Sequence, residues 1–99
     1  MGQRVSNERL EYLRNKKLTD VLDFLGLYWK LDREYKPVKT KTSFRIFVQK
    51  GYETKELLIT GIRWYDVRER KGGGGAIDLV MHLYSDSFLQ SIKRLENLK

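Results

Sequence analysis

The chain contains no cysteine. That absence excludes a disulfide framework and a thiolate metal site, and it leaves the redox compartment unread. Histidine occurs once, as His82. A zinc site would have to be assembled almost wholly from carboxylates, a donor set zinc disfavours, so no metal and no cofactor are expected. No apolar run approaches the roughly 20 residues of a membrane-spanning helix, and Met1 to Ser6 lack the apolar stretch of a secretory signal. The expectation is a cytoplasmic protein with no membrane partner.

Charge of one sign is abundant. Of 99 residues, 20 are Lys or Arg and 13 Asp or Glu, for a net charge of +7. The excess is central: residues 30–71 hold twelve basic and six acidic side chains, and Lys36, Lys39, Lys41, Arg45 and Lys50 fall in a window without an acid. A basic face of this kind suits a polyanionic partner, or is simply solvated. The hydrophobic fraction of 40% and aromatic fraction of 12% fit a single folded domain over 1–99 with one modest core.

Ser6 to Leu13 reads as a short helix, capped by Ser6 or Asn7 and anchored by Leu10 and Leu13. Leu18, Val21, Leu22 and Leu25 follow at i, i+3, i+4 and i+7, a second helix with Asn15 or Thr19 as cap and Gly26 as its stop. Tyr28, Trp29 and Leu31 begin a strand, Asp32 to Glu34 a polar turn, and the only proline, Pro37, an extended arm. Phe44, Ile46 and Val48 alternate with Arg45, Phe47 and Gln49, the period of a half-buried strand. Leu57 to Ile59 form the next strand; Ile62, Trp64 and Val67 alternate with Arg63, Tyr65 and Arg68 in another. The expected fold is α+β: a small antiparallel sheet of three to four strands packed with N- and C-terminal helices. Arg45 and Phe47 stand side by side on the face away from those helices.

Four consecutive glycines, Gly72 to Gly75, precede a helix with the broad apolar stripe Ala76, Ile77, Val80, Met81 and Tyr84. Arg68, Arg70 and Lys71 stand just before them, so the helix N-terminus beside those cations is a candidate anion site, against the simpler reading of a flexible turn. No Gly-Lys-Ser/Thr follows the run and no G-x-G-x-x-G spacing is present, which argues against nucleotide binding. Ser87 and Gln90 form a capping box for a last helix that buries Phe88, Ile92 and Leu95. His82 has no nucleophile near it in sequence and no acid–base constellation stands out, so no enzyme is expected.

Trp64-Tyr65-Asp66, the basic loop, Gly73-Gly74-Gly75-Ala76-Ile77-Asp78-Leu79-Val80-Met81 and Ser87-Phe88-Leu89-Gln90-Ser91-Ile92-Lys93-Arg94-Leu95 together resemble the N-terminal zinc-ribbon domain of bacterial DnaG-type primases. They are equally similar to the domain that precedes a Toprim domain in plasmid and mobile-element primases. The likeness spans about residues 18–96, with 1–17 as a helical extension. Laid on that pattern, the second zinc knuckle falls at Val67 and Arg70, neither of them a metal ligand, and the first pair near Glu34 and Pro37. The resemblance thus implies a primase-like, zinc-ribbon-like domain that is metal-free and, without a Toprim domain, not itself a primer-synthesising enzyme.

Single-strand binders combine a basic groove with exposed aromatic rings. The candidate DNA-contacting residues are Lys39, Lys41, Arg45, Phe47, Arg63, Tyr65, Arg68, Arg70 and Lys71. The expected function is single-stranded DNA binding in replication or priming of a plasmid, phage or mobile element. The alternative is an adaptor that docks on a replicative polymerase, primase or helicase through Phe47, Tyr52 and the glycine turn.

Overall fold

A computed structural model describes residues 5–37 and 42–99. Their order is α1 (Asn7–Arg14), α2 (Leu18–Phe24), β1 (Trp29–Leu31), β2 (Phe44–Lys50), β3 (Glu53–Thr60), β4 (Arg63–Asp66), β5 (Lys71–Gly74), α3 (Gly75–Tyr84) and α4 (Phe88–Arg94). The class is α+β, as the patterning implies, but the antiparallel sheet has five strands in the order β1-β2-β3-β4-β5. None of these helices is long and apolar enough to cross a membrane.

Local chemistry sets the helix ends. Ser6 accepts a 3.0 Å bond from the Arg9 backbone N–H and starts α1. The residue before α2 is Lys17, which makes no side-chain cap bond, instead of Asn15 or Thr19; Thr19 lies one residue inside the helix and is buried. Gly26, at φ +73°, stops α2. Ser87 and Gln90 form the full capping box of α4. Of its expected buried face, Leu95 is buried and Ile92 packs against the same cluster, but Phe88 remains 38% exposed and Ser91 is buried in its stead. Ser91 can be buried because its hydroxyl donates to the Phe88 carbonyl at 2.7 Å.

Helices α2 and α3 each contribute to two apolar clusters. Leu79 and Leu83 pack with α2 and with Ile46, Val48, Leu57, Ile59 and Trp64 of the sheet. Ala76, Ile77 and Val80 pack with Leu13, Val21, Leu95 and Leu98. The Arg9 guanidinium closes the second cluster, donating to the carbonyls of Leu95, Glu96 and Leu98 at 3.0 to 3.1 Å. On β4 the inward row is Trp64 and Asp66, both buried, so Val67 is not part of it. The ladder register enforces this, with Asp66 opposite Leu57 and Trp64 opposite Ile59.

The glycine run is not a turn. Lys71 to Gly74 form an edge strand antiparallel to β4, with Gly73 opposite Trp64 and Gly72 opposite Tyr65. Glycine is a poor strand former, but β4's aromatic rings occupy the space its side chains would need. A Cβ on Gly73 would lie 2.8 Å from Trp64 Cζ2, and one on Gly72 3.1 Å from Tyr65 Cδ1. Gly75 is needed for a different reason: its φ is +85°, and a Cβ would sit 3.2 Å from the Arg14 carbonyl oxygen. Only Gly74 combines ordinary extended angles with open space for a Cβ.

Gly73, Gly74 and Gly75 are therefore expected to respond differently to alanine. Gly73→Ala should cost about 1–3 kcal/mol by overpacking and Gly75→Ala about 1–2 kcal/mol by left-handed strain. Gly74→Ala should be close to neutral, the gain of about 0.4–1 kcal/mol from a stiffer chain being offset because glycine is the better residue at the N-cap of α3. Urea unfolding midpoints of the three variants check this order.

Candidate nucleic-acid interface

The sheet has one face packed and one open. Ile46, Val48, Leu57, Ile59, Trp64 and Asp66 are buried toward the helices, and the strand residues alternating with them are not. Strand pairing places Lys30 opposite Phe47, Phe47 opposite Glu56, Arg45 opposite Leu58, and Leu58 opposite Tyr65. Residues directly opposite share a face. The open face thus carries Lys30, Arg45, Phe47, Glu56, Leu58, Arg63 and Tyr65, with Tyr28 exposed at its margin.

Of the sequence candidates, Arg45, Phe47, Arg63 and Tyr65 are brought together here, and Arg68 joins them by reaching Glu56 at 3.5 Å. Arg45 is already engaged. It pairs with Asp32 at 2.7 Å and with Glu56 at 3.5 Å, and its guanidinium lies over the Tyr35 ring. The Arg45 hydrogen bond, aided by the Glu34 backbone N–H, holds the Asp32 carboxyl below its ordinary range. Lys71 is opposite Asp66 and so belongs to the helix side. Arg70 is exposed at the β4–β5 turn, in the left-handed conformation at φ +55°. Lys39 and Lys41 lie outside the described residues.

The anion site expected from Arg68, Arg70, Lys71 and the α3 N-terminus is not assembled. All four residues of β5 separate the basic turn from the helix start, a span of about 13 Å for extended chain. The helix start also has an anion of its own: the Asp78 carboxylate accepts from the Gly74 N–H at 3.3 Å.

On the helix side, beside the β4–β5 turn, a charged cluster joins four elements. Buried Asp66 accepts from the backbone N–H groups of Arg68 and Glu69 at 3.1 Å and faces His82 Nε2 at 2.8 Å. Burial pushes the Asp66 carboxyl up, but the His82 and Glu69 hydrogen bonds and the nearby His82 and Lys55 charges outweigh it and leave it below the ordinary value of 3.8. Asp66 is thus ionised near neutrality, and His82 Nε2 carries the donated hydrogen. The His82 ring stacks on Trp64 at 4.9 Å. Glu69 lies 3.8 Å from His82 and is ion-paired with Lys55.

Asp66, Glu69 and His82 are spaced closely enough to hold an ion. Their donor atoms are nevertheless turned on one another and on the Lys55 ammonium, so a metal would have to displace these partners. The arrangement does chemically what a structural ion does, tying β3, β4, the turn and α3 together. Sequence reasoning missed it because its members are separated by up to 27 positions and none carries a local motif. Tyr28 and Lys30 were missed as well, although extending the alternation through β1 would have placed them beside Phe47.

No protein-family model matches the chain, and neither a curated protein nor a solved structure does.

Asp66→Ala should destabilise the fold by about 2–4 kcal/mol, since it leaves two backbone N–H groups and His82 without their acceptor. Because the folded carboxyl is held low, its contribution is complete above the ordinary carboxylate range and is lost as pH falls through the lowered value. Urea unfolding from pH 5 to pH 2 should therefore show the gap between the native protein and Asp66→Asn narrowing with acid.

Proposed function

We propose that the chain is a non-catalytic single-stranded DNA-binding module serving replication or priming of a plasmid, phage or other mobile element. The observation that carries the reading is the open sheet face. Tyr28, Phe47 and Tyr65 stand among Lys30, Arg63 and Arg68, whose charge and reach suit phosphate contacts. Stacked bases contribute about 1–3 kcal/mol each and tolerate any sequence, while phosphate contacts add a salt-dependent attraction. The net charge of +7 raises the encounter rate with such a partner. The likeness of residues 18–96 to primase zinc-ribbon domains points the same way, toward a template-handling rather than a catalytic role.

A second reading is favoured by Tyr52. It stands fully exposed at the tip of the β2–β3 hairpin, the position of a side chain that anchors in a partner's pocket. An adaptor docking on a replicative polymerase, primase or helicase would use this tip. The two roles are compatible, since one protein can bridge an enzyme and its template.

Fluorescence anisotropy with a labelled single strand decides the first reading. Affinity should fall steeply with salt, and Lys30→Ala and Arg63→Ala should each lower the log–log slope by about 0.7 while leaving sequence preference unchanged. Salt-indifferent binding, or equal affinity for the duplex of the same sequence, would sink it. Replacing Arg68, Arg70 and Lys71 together tests the basic turn; unchanged DNA affinity would make that turn structural only. The adaptor reading predicts capture of a replication enzyme that survives nuclease and high salt and is lost in Tyr52→Ala.

A further inference from the structure

The open face holds two clefts of equal size. One, of about 480 Å³, is lined by Tyr28, Lys30, Phe47, Gln49, Thr54 and Arg68. The other, also about 480 Å³, is bounded by Tyr35, Leu58, Arg63 and Tyr65 and runs onto the bare backbone of β5. Each contains aromatic rings and a cation. Between them stands Glu56, whose charge is offset by Arg45 and Arg68, each 3.5 Å away, so the divide does not repel a phosphate strongly. Phe47 and Tyr65 lie two strands apart and two residues out of register, about 12 Å from ring position to ring position at standard sheet spacings. One stacked nucleotide step covers only about 3.4 Å, so neighbouring stacked bases cannot occupy both rings.

The glycines complete the second cleft. Gly74 is opposite Arg63 and so belongs to the open face, where its missing side chain leaves room: a Cβ there meets nothing within 4 Å. Its backbone is ordinary extended chain, φ −135° and ψ 135°. Conformation and fit therefore do not demand glycine at 74, in contrast to 73 and 75.

Building on the proposed single-stranded DNA reading, we propose that the face takes one strand across both clefts at once. One base stacks in the Tyr28–Phe47 cleft, another in the Tyr65 cleft over Gly74, and the intervening backbone passes the Arg45–Glu56–Arg68 divide. The minimal ligand then spans about four to five nucleotides, since the 12 Å separation takes between three and four stacked steps. Gly74 is a binding residue through its bareness.

The test uses labelled oligothymidylates of two to ten nucleotides with the full chain, Tyr28→Ala and Gly74→Val. Tyr28 is 67% exposed, and valine suits an extended strand with free space, so both variants should fold; circular dichroism and urea midpoints verify this. Affinity should rise steeply up to about five nucleotides and slowly beyond. For the octamer, each variant should weaken binding about tenfold or more, the loss of one stacked base. For the dinucleotide, which fills one cleft at a time, each should weaken it about twofold at most. If Gly74→Val binds the octamer like the parent chain, or the dinucleotide binds as tightly as the octamer, the two-cleft arrangement is wrong while DNA binding stands. If no oligonucleotide binds at low salt, the DNA reading itself fails and this inference with it.

Discussion

The placement of the Trp64 indole over a strand that has no side chain to oppose it is the constraint on which the rest of the structure depends. Trp64 is 4% exposed and is covered by Gly73 from one side and by the stacked His82 ring from another. A large ring can be buried at the edge of so thin a sheet only if the neighbouring strand is bare, and a bare strand holds its place only if something else fills the volume above it. Each condition answers the other. From this contact, His82 fixes the register of α3 against the sheet. α3 in turn brings the N-terminal helices and α4 onto one face.

Burying Asp66 follows from the same arrangement. The residue two positions after Trp64 shares its face of β4, so it is buried whether or not it is polar. A carboxylate there is tolerable only with its oxygens satisfied. The turn's own N–H groups and His82 satisfy them, while Lys55, paired with Glu69, supplies a neighbouring positive charge. The cluster is thus a polar continuation of the core at the end where the sheet becomes a turn. Its acid sensitivity comes from the hydrogen bonds and neighbouring charges that hold the Asp66 carboxyl low against the opposing effect of burial.

Much of this was legible in the sequence. Strict alternation in Phe44 to Gln49 gave β2 and the orientation of its two faces, and the spacing of Leu18, Val21 and Leu22 gave α2 with its glycine stop. Ser87 and Gln90 gave the capping box. What failed did so for identifiable reasons. Four glycines carry no periodicity, so β5 was invisible without knowing that Trp64 and Tyr65 would lie against it; composition pointed to a turn, and tertiary packing overrode it. On α4 the spacing gave Ile92 and Leu95 but not the third position, where Ser91, a polar residue satisfied within its own turn, is buried instead of the apolar Phe88. The candidate site was legible where alternation applied, at Arg45, Phe47, Arg63 and Tyr65. It was not legible for Lys71, whose side of the sheet depends on the unseen strand, nor for the pairing of Arg45 with Asp32.

That pairing changes what the basic composition means. A central excess of cations suggests a uniform positive face, yet Arg45 is held by Asp32 and Glu56, Lys55 by Glu69, and Arg68 shares Glu56. Among the described residues of the open face, the charge left for a partner is concentrated at Lys30, Arg63 and the turn, around aromatic rings instead of across the sheet's middle. A ligand drawn to such a face by charge would depend as well on the rings and on how closely it can approach the backbone beside them. Approach is what the glycines permit. Gly73 is bare because Trp64 takes its space from the helix side, and Gly74 leaves the opposite face unfilled, so one run of residues serves the core on one side of the sheet and a candidate ligand surface on the other.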